Sequence, residues 1–115
     1  MNRNLHIGDV EIGLPAVQAA LSGYSDLPMR TVARELGATY ALNEVVLDTL
    51  VLQKGKLQRR ILSVPEHEHP VGGQLMGSRP ETFGLAAREM VRAGYDIVDI
   101  NFGCPVNKVL GRHRG

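Results

Sequence analysis

The sequence predicts an α/β fold, the N-terminal half of a (β/α)8 TIM barrel that stops after its fourth strand. Three observations carry this. Four short apolar stretches alternate with three amphipathic ones, which implies parallel strands joined by right-handed crossovers. No G-x-G-x-x-G follows the first strand, which weighs against a dinucleotide-binding sheet. Polar residues recur at the ends of the apolar stretches, where barrel enzymes build their sites. A complete barrel takes about 250 residues. The chain has 115, so the expectation is a partial barrel domain over 1–115, truncated before any element that could follow strand four.

Leu5, Ile7, Val10 and Ile12 flank Gly8-Asp9 and predict a hairpin within 1–14, at the base of the barrel. Pro15 to Leu21 reads as the first buried strand, closed by Ser22-Gly23. Ser25 is placed to cap a helix, with Asp26 in its first turn facing the positive end of the dipole. Pro28 is tolerated there because early amide protons lack intrahelical partners. Met29, Val32, Ala33 and Leu36 form one apolar stripe, and Gly37 ends the helix. Thr39 to Glu44 is the second strand and Val46 to about Gln53 the second helix. Lys54, Lys56, Arg59 and Arg60 form a basic cluster, followed by an extended 60–64 and a Pro/His/Glu loop. Val71 to Met76 is a third buried strand containing Gly72-Gly73. Ser78-Arg79-Pro80-Glu81 has the form of a capping box. Phe83, Ala86, Ala87, Met90 and Val91 keep the helical period until Gly94. Asp96 to Phe102 is the fourth strand, closed by Gly103-Cys104-Pro105.

Apolar types at 43% and charged types at 22% exclude a disordered or low-complexity chain. Thirteen basic against twelve acidic residues give +1, so no global excess announces a nucleic-acid partner. The single cysteine rules out a disulfide framework and fits a reducing compartment. No apolar run approaches the ~20 residues of a membrane span, and the opening lacks the apolar core of a signal peptide. The expectation is a soluble, cytoplasmic chain.

In the fourth strand Val98, Ile100 and Phe102 share one face, while Ile97, Asp99 and Asn101 share the other. If the apolar face packs on helices, Asp99 and Asn101 point toward the barrel axis. Asn43 and Glu44 end the second strand in the same way, Gln74 interrupts the third, and Ser22 ends the first. Together they form a constellation, although any one of them could instead cap a helix or bond a neighbouring strand. A lone cysteine is often a small buried hydrophobe. Cys104, fixed between glycine and proline, is instead predicted to present its thiol at the barrel mouth. An ordinary thiol, with a pKa near ~8.5, is mostly protonated at neutral pH and can donate a proton without activation. A nucleophilic role would need a nearby cation or base. His67 and His69 lack the partners of a ligand set, so no metal site is expected. The basic cluster at 54–60 reads as a solvated face or a phosphate contact. Lys108, Arg112 and Arg114, beside Cys104, read as candidates for a phosphate backbone. Sparse aromatics argue against a base-stacking platform.

These motifs together resemble the tRNA-dihydrouridine synthases, from about Ile7 to the last residue. Asp99-Ile100-Asn101-Phe102-Gly103-Cys104-Pro105-Val106-Asn107-Lys108-Val109 is similar to that family's D-I-N-x-G-C-P-x-x-K-V. Gln74 to Glu81 resembles its Q-L-x-G-S-x-P-E, Ser22 to Arg30 its A-G-V-T-D-x-P-F-R, and Asn43 to Val46 its T-E-M-V. The resemblance implies a flavin-binding barrel with FMN at its C-terminal mouth and a separate helical tRNA-binding domain, which is absent from this sequence. It implies that NADPH reduces FMN, that the flavin passes a hydride to C6 of a tRNA uridine, and that Cys104 protonates C5 as general acid. Ala20, Leu21 and Ser22 map to flavin contacts, as do Gln74 and Glu44, although Glu44 could equally lie by the substrate. Asn101 maps near the substrate base, with Lys108 and Arg112 toward the RNA. Two departures stand out: Ala20-Leu21-Ser22 replaces the usual Pro-Met-Ala, and the phosphate-holding loops of the later strands lie beyond Gly115. The expectation is that the 115 residues alone hold FMN weakly or not at all and are inactive. Another FMN barrel oxidoreductase of the dihydroorotate dehydrogenase type, or a non-catalytic half-barrel that self-associates or binds RNA, remain the alternatives.

Overall fold

The computed structural model describes residues 4–114, so the first three residues of the expected N-terminal hairpin segment, and Gly115, lie outside it. β1 (Leu5–Ile7) and β2 (Val10–Gly13) pair antiparallel as a hairpin. Gly8 turns it at φ +58°, a conformation open to glycine. The hairpin lies beside the N-terminal end of the main sheet, where the Leu14 amide donates to Thr39 Oγ1 at 3.1 Å.

The main sheet is parallel and centred on β5 (Val71–Met76). On one edge β3 (Ala41–Leu42) and β4 (Val46–Leu47) both pair with it, Leu42 opposite Gly72 and Val46 opposite Leu75. From 42 to 46 the chain takes four steps while β5 takes three from 72 to 75, so Asn43–Val45 carry one extra residue, a bulge in a single interrupted strand. On the other edge β6 (Ile97–Ile100) runs in register, Gly72 opposite Ile97 through Leu75 opposite Ile100. Outside β3, Gln18 bridges Ala41 in parallel. Strand neighbours in space are thus strand neighbours in sequence, each reached by a crossover.

The helices cover one face. α2 (Asp48–Leu52), α3 (Lys56–Ile61) and α4 (Pro80–Ala93) close over Val71 and Leu75, and the core gathers Val46, Val51, Leu62, Ala86, Met90 and Tyr95. Gly73 faces this layer because a Cβ there would stand 2.8 Å from Met90 Cε; Gly72, on the opposite face, lies under the Tyr40 hydroxyl and Leu42. Gly94, at φ +109°, ends α4 as its spacing predicts.

Several expectations change. The first strand over 15–21 reduces to the single bridge at Gln18, with Val17 and Leu21 about half exposed; no strand pairs its outer edge among the described residues. α1 (Leu27–Glu35) does not bury its apolar stripe: Met29, Val32 and Leu36 are exposed, Leu36 by 84%, whereas Arg30 is buried. Its inward side meets a carboxylate rather than a hydrocarbon layer, which reverses the ordinary polarity. Asp26, not Ser25, caps α1 by accepting from the Met29 amide at 3.1 Å, while Ser25 folds back on Leu21. Val46 and Leu47 belong to the sheet, so the second helix starts at Asp48; the stretch expected to be extended from 60 is helical through Ile61. Ser78 and Glu81 form no capping box: Arg79 precedes α4, Pro80 fills its first position, and the Thr82 amide donates to the Arg79 carbonyl at 3.2 Å. The fourth strand is shorter than expected, although the Asn101 amide still donates to the Leu75 carbonyl at 2.8 Å.

Candidate active site

Opposite the helix layer, the sheet carries a polar face. Val98 packs toward the core, so Asp99 points away from it, and the register sets Asp99 beside Gln74. Gln74 Nε2 donates to Asp99 Oδ2 at 2.6 Å, and Asn101 Nδ2 donates to Gln74 Oε1 at 2.9 Å. Asn101 Oδ1 in turn accepts from the Gly103 amide at 3.3 Å. This string of side chains ends at the turn bearing Cys104. The thiol is half-buried, in a recess formed with Phe102, Gly103, Pro105 and Leu110. Tyr40 faces the same side; burial pushes its hydroxyl up to about 12, and the charges of Asp99 and Asp96 push the same way.

A second polar group lies beneath the end of β3. Arg30 and Glu68, both about 1% exposed, form a two-pronged pair, with Nη2 3.0 Å from Oε2 and Nε on Oε1. Arg30 Nη1 also reaches the Ser25 carbonyl at 3.0 Å and Asn43 Oδ1 at 2.8 Å. Asn43 Oδ1 accepts from the Glu44 amide at 2.8 Å, and its Nδ2 donates to the Ile61 carbonyl at 3.1 Å and to the Tyr95 hydroxyl at 2.5 Å. Burial pushes that hydroxyl up to about 12, against the pull of Arg30 and the Asn43 hydrogen bond. The bulge therefore sends Asn43 inward and leaves Glu44 to accept from the Gly23 amide, tying the end of β3 to the Ser22-Gly23 turn.

The predicted residues fall into three groups. Gln74 and Asn101 come together with Asp99, and their string ends on the Gly103 amide, one residue before Cys104. Ser22 and Glu44 meet through Gly23, with Ala20 and Leu21 just before; Leu21's own amide is taken by Ser25 Oγ at 2.8 Å. Lys108, on the one-turn helix α5 (Asn107–Leu110), and Arg112 are exposed, and neither pairs with a carboxylate among the described residues. Asn43 leaves the constellation for the buried group. Sequence reasoning missed Arg30, Glu68 and Tyr95, because a helical arginine and a loop glutamate carry no local mark of pairing. It also missed a cavity of about 450 Å³ beside Asn101, lined by Ser78, Arg79, Phe83, His113 and Arg114. Among the described residues no three His, Cys, Asp or Glu gather as a metal site, and no helix is long and apolar enough to cross a membrane.

Comparison with known proteins bears on this site. A family model described as dihydrouridine synthase matches residues 17–115. A protein of Rickettsia typhi named "Probable tRNA-dihydrouridine synthase" is 28% identical over 113 residues, covering 96% of this chain and 34% of the relative. The tRNA-dihydrouridine synthase B proteins of Pseudomonas aeruginosa and Pseudomonas putida are 31% and 32% identical over 111 and 114 residues, with 96% of this chain and 33% of each relative covered. The chain thus spans about a third of the length of the curated relatives it matches. On the match over 17–115, the chain belongs to the dihydrouridine synthase family.

Proposed function

We propose that these residues are the first half of a TIM barrel that reduces uridine of tRNA to 5,6-dihydrouridine with FMN and NADPH, and that Cys104 is its general acid. The reading is supported by four parallel segments in sequential order and by relatives named as tRNA-dihydrouridine synthases. The observation that carries it is the string Asp99–Gln74–Asn101–Gly103, which runs along the polar face to the residue that precedes a half-buried cysteine.

The residues present fit the ring end of a flavin by their chemistry. Gln74 offers a half-buried amide on the polar face, and the backbone amides of Ala20 and Ser22 make no hydrogen bond among the described residues. The Leu21 amide is excluded from that role by Ser25. Bound there, FMN supplies the reducing equivalents, drawn from NADPH. Glu44 holds the Ser22-Gly23 turn in place against it. Asn101 keeps one amide proton beyond its bond to Gln74 to orient the uracil. The Cys104 thiol gives its proton to C5, and Lys108 and Arg112 meet the RNA phosphates with cationic heads that no carboxylate among the described residues neutralises. Barrels commonly hold cofactor phosphate after strands seven and eight.

In the complete gene product carrying this sequence, Cys104→Ala should still accept electrons from NADPH, read as bleaching of flavin absorbance. It should lose dihydrouridine formation by about 10²-fold or more, the usual contribution of a positioned acid. Modification of tRNA at the normal rate by that variant would remove the acid assignment.

A further inference from the structure

We propose that Asp99 is a positioning residue, whose carboxylate acts through Gln74 to set which way the Asn101 amide faces and so holds the Gly103-Cys104 turn. The relevance to uridine reduction rests on the function proposed above; the string itself does not. A primary amide has a donor end and an acceptor end, and either could face a neighbour. A carboxylate only accepts. With Asp99 Oδ2 at 2.6 Å, Gln74 must present Nε2 to it, which leaves Oε1 for the next residue. Asn101 must then present Nδ2 to Gln74, at 2.9 Å, and its Oδ1 is left toward the Gly103 amide two residues on. The last link is an Asx-type turn, a side-chain oxygen standing in for a backbone acceptor. Were the string reversed, Asn101 would aim a donor at the Gly103 N–H and the turn would lose its tie. One charge at the edge strand therefore selects one of two otherwise equivalent arrangements three residues away. All three side chains are half-buried, so water competes but does not replace the partners outright.

The test needs neither flavin nor RNA, so it reports on this proposal even if the enzymatic reading fails. In the complete gene product carrying this sequence, Asp99→Leu should move the Asn101 side-chain amide signals in a ¹⁵N–¹H spectrum toward those of a free amide. It should raise the rate of Cys104 alkylation by iodoacetamide about threefold or more, the scale of a lost weak hydrogen bond. Asp99→Asn puts at that position an amide that can show Gln74 either end, and should disturb both readouts. The double variant Asp99→Asn with Gln74→Glu moves the charge to residue 74, so that the first hydrogen bond runs the other way and an acceptor again faces Asn101, and should restore both. Should Asp99→Leu fail to fold by circular dichroism, the comparison of Asp99→Asn with the double variant decides alone. Asn101 signals and alkylation unchanged in Asp99→Leu, or a double variant no better than Asp99→Asn, would overturn the proposal.

Discussion

Replacing Glu68 by glutamine removes a charge but almost no volume, and should be among the most damaging isosteric changes this chain can suffer. Arg30 and Glu68 are each about 1% exposed, and three guanidinium nitrogens are committed, Nε and Nη2 to the carboxylate and Nη1 to Asn43 and Ser25. Taking away the carboxylate charge leaves the guanidinium buried among neutral acceptors. Breaking one side of a buried pair typically costs about 3–5 kcal/mol. Glutamine retains one acceptor oxygen, which puts the expectation at the lower end, about 3 kcal/mol. With a urea dependence of ~1.5 kcal/mol/M, this is a fall of about 2 M in the unfolding midpoint. Arg30→Met should be comparably harmful through the orphaned carboxylate. The double variant Arg30→Met with Glu68→Gln should cost clearly less than the two single changes added, since no charge is then left behind. The assay is urea unfolding followed by far-ultraviolet circular dichroism. A Glu68→Gln effect below about 1 kcal/mol, or strict additivity in the cycle, would refute the view that burial makes these two charges depend on each other.

Two further outcomes follow from buried contacts. Tyr95 is held neutral in the fold with its hydroxyl pushed up to about 12, whereas an unfolded tyrosine ionises near ~10. Below pH 10 both states keep the proton and stability is complete; between 10 and 12 only the unfolded state loses it, so stability should decline by up to about 3 kcal/mol. Tyr95→Phe should flatten that share of the decline in urea titrations across alkaline pH, while lowering neutral-pH stability by about 1 kcal/mol through the acceptor lost to Asn43; an unchanged alkaline slope would count against it. Gly77→Ala would drive a methyl into the buried Asp48 carboxylate, which also accepts from Thr82, and should destabilise by about 1–3 kcal/mol in the same assay. A neutral result would mean that the α2–α4 contact gives way freely.

The parallel sheet, the hairpin, the third strand and the end of α4 were legible because each rests on local signals: period, turn residues, a glycine where φ turns positive. The face assignment of Asp99 and Asn101 was legible for the same reason, as alternation along a strand is fixed by the pleat. α1 was misread because periodicity reports which side of a helix is apolar, not which side has a neighbour, and Arg30 finds Glu68 thirty-eight residues away. Asn43 and Glu44 looked alike at the end of one strand. The bulge separates them into two environments, and nothing local in TYALNE marks an extra residue. The capping box at Ser78 failed for a further reason: Pro80 fixes where α4 begins, one position too late for Ser78 to cap it.

The adjacent glycines of β5 make the sheet bare on both surfaces at one spot. Tyr40 leans over Gly72 from one side while the methionine sulfur of Met90 presses on Gly73 from the other. Little more than a peptide plane separates the two layers there. A change in how the oily side is filled would be felt by the phenol that lies over Gly72, so this thin window couples the packed interior to the polar face.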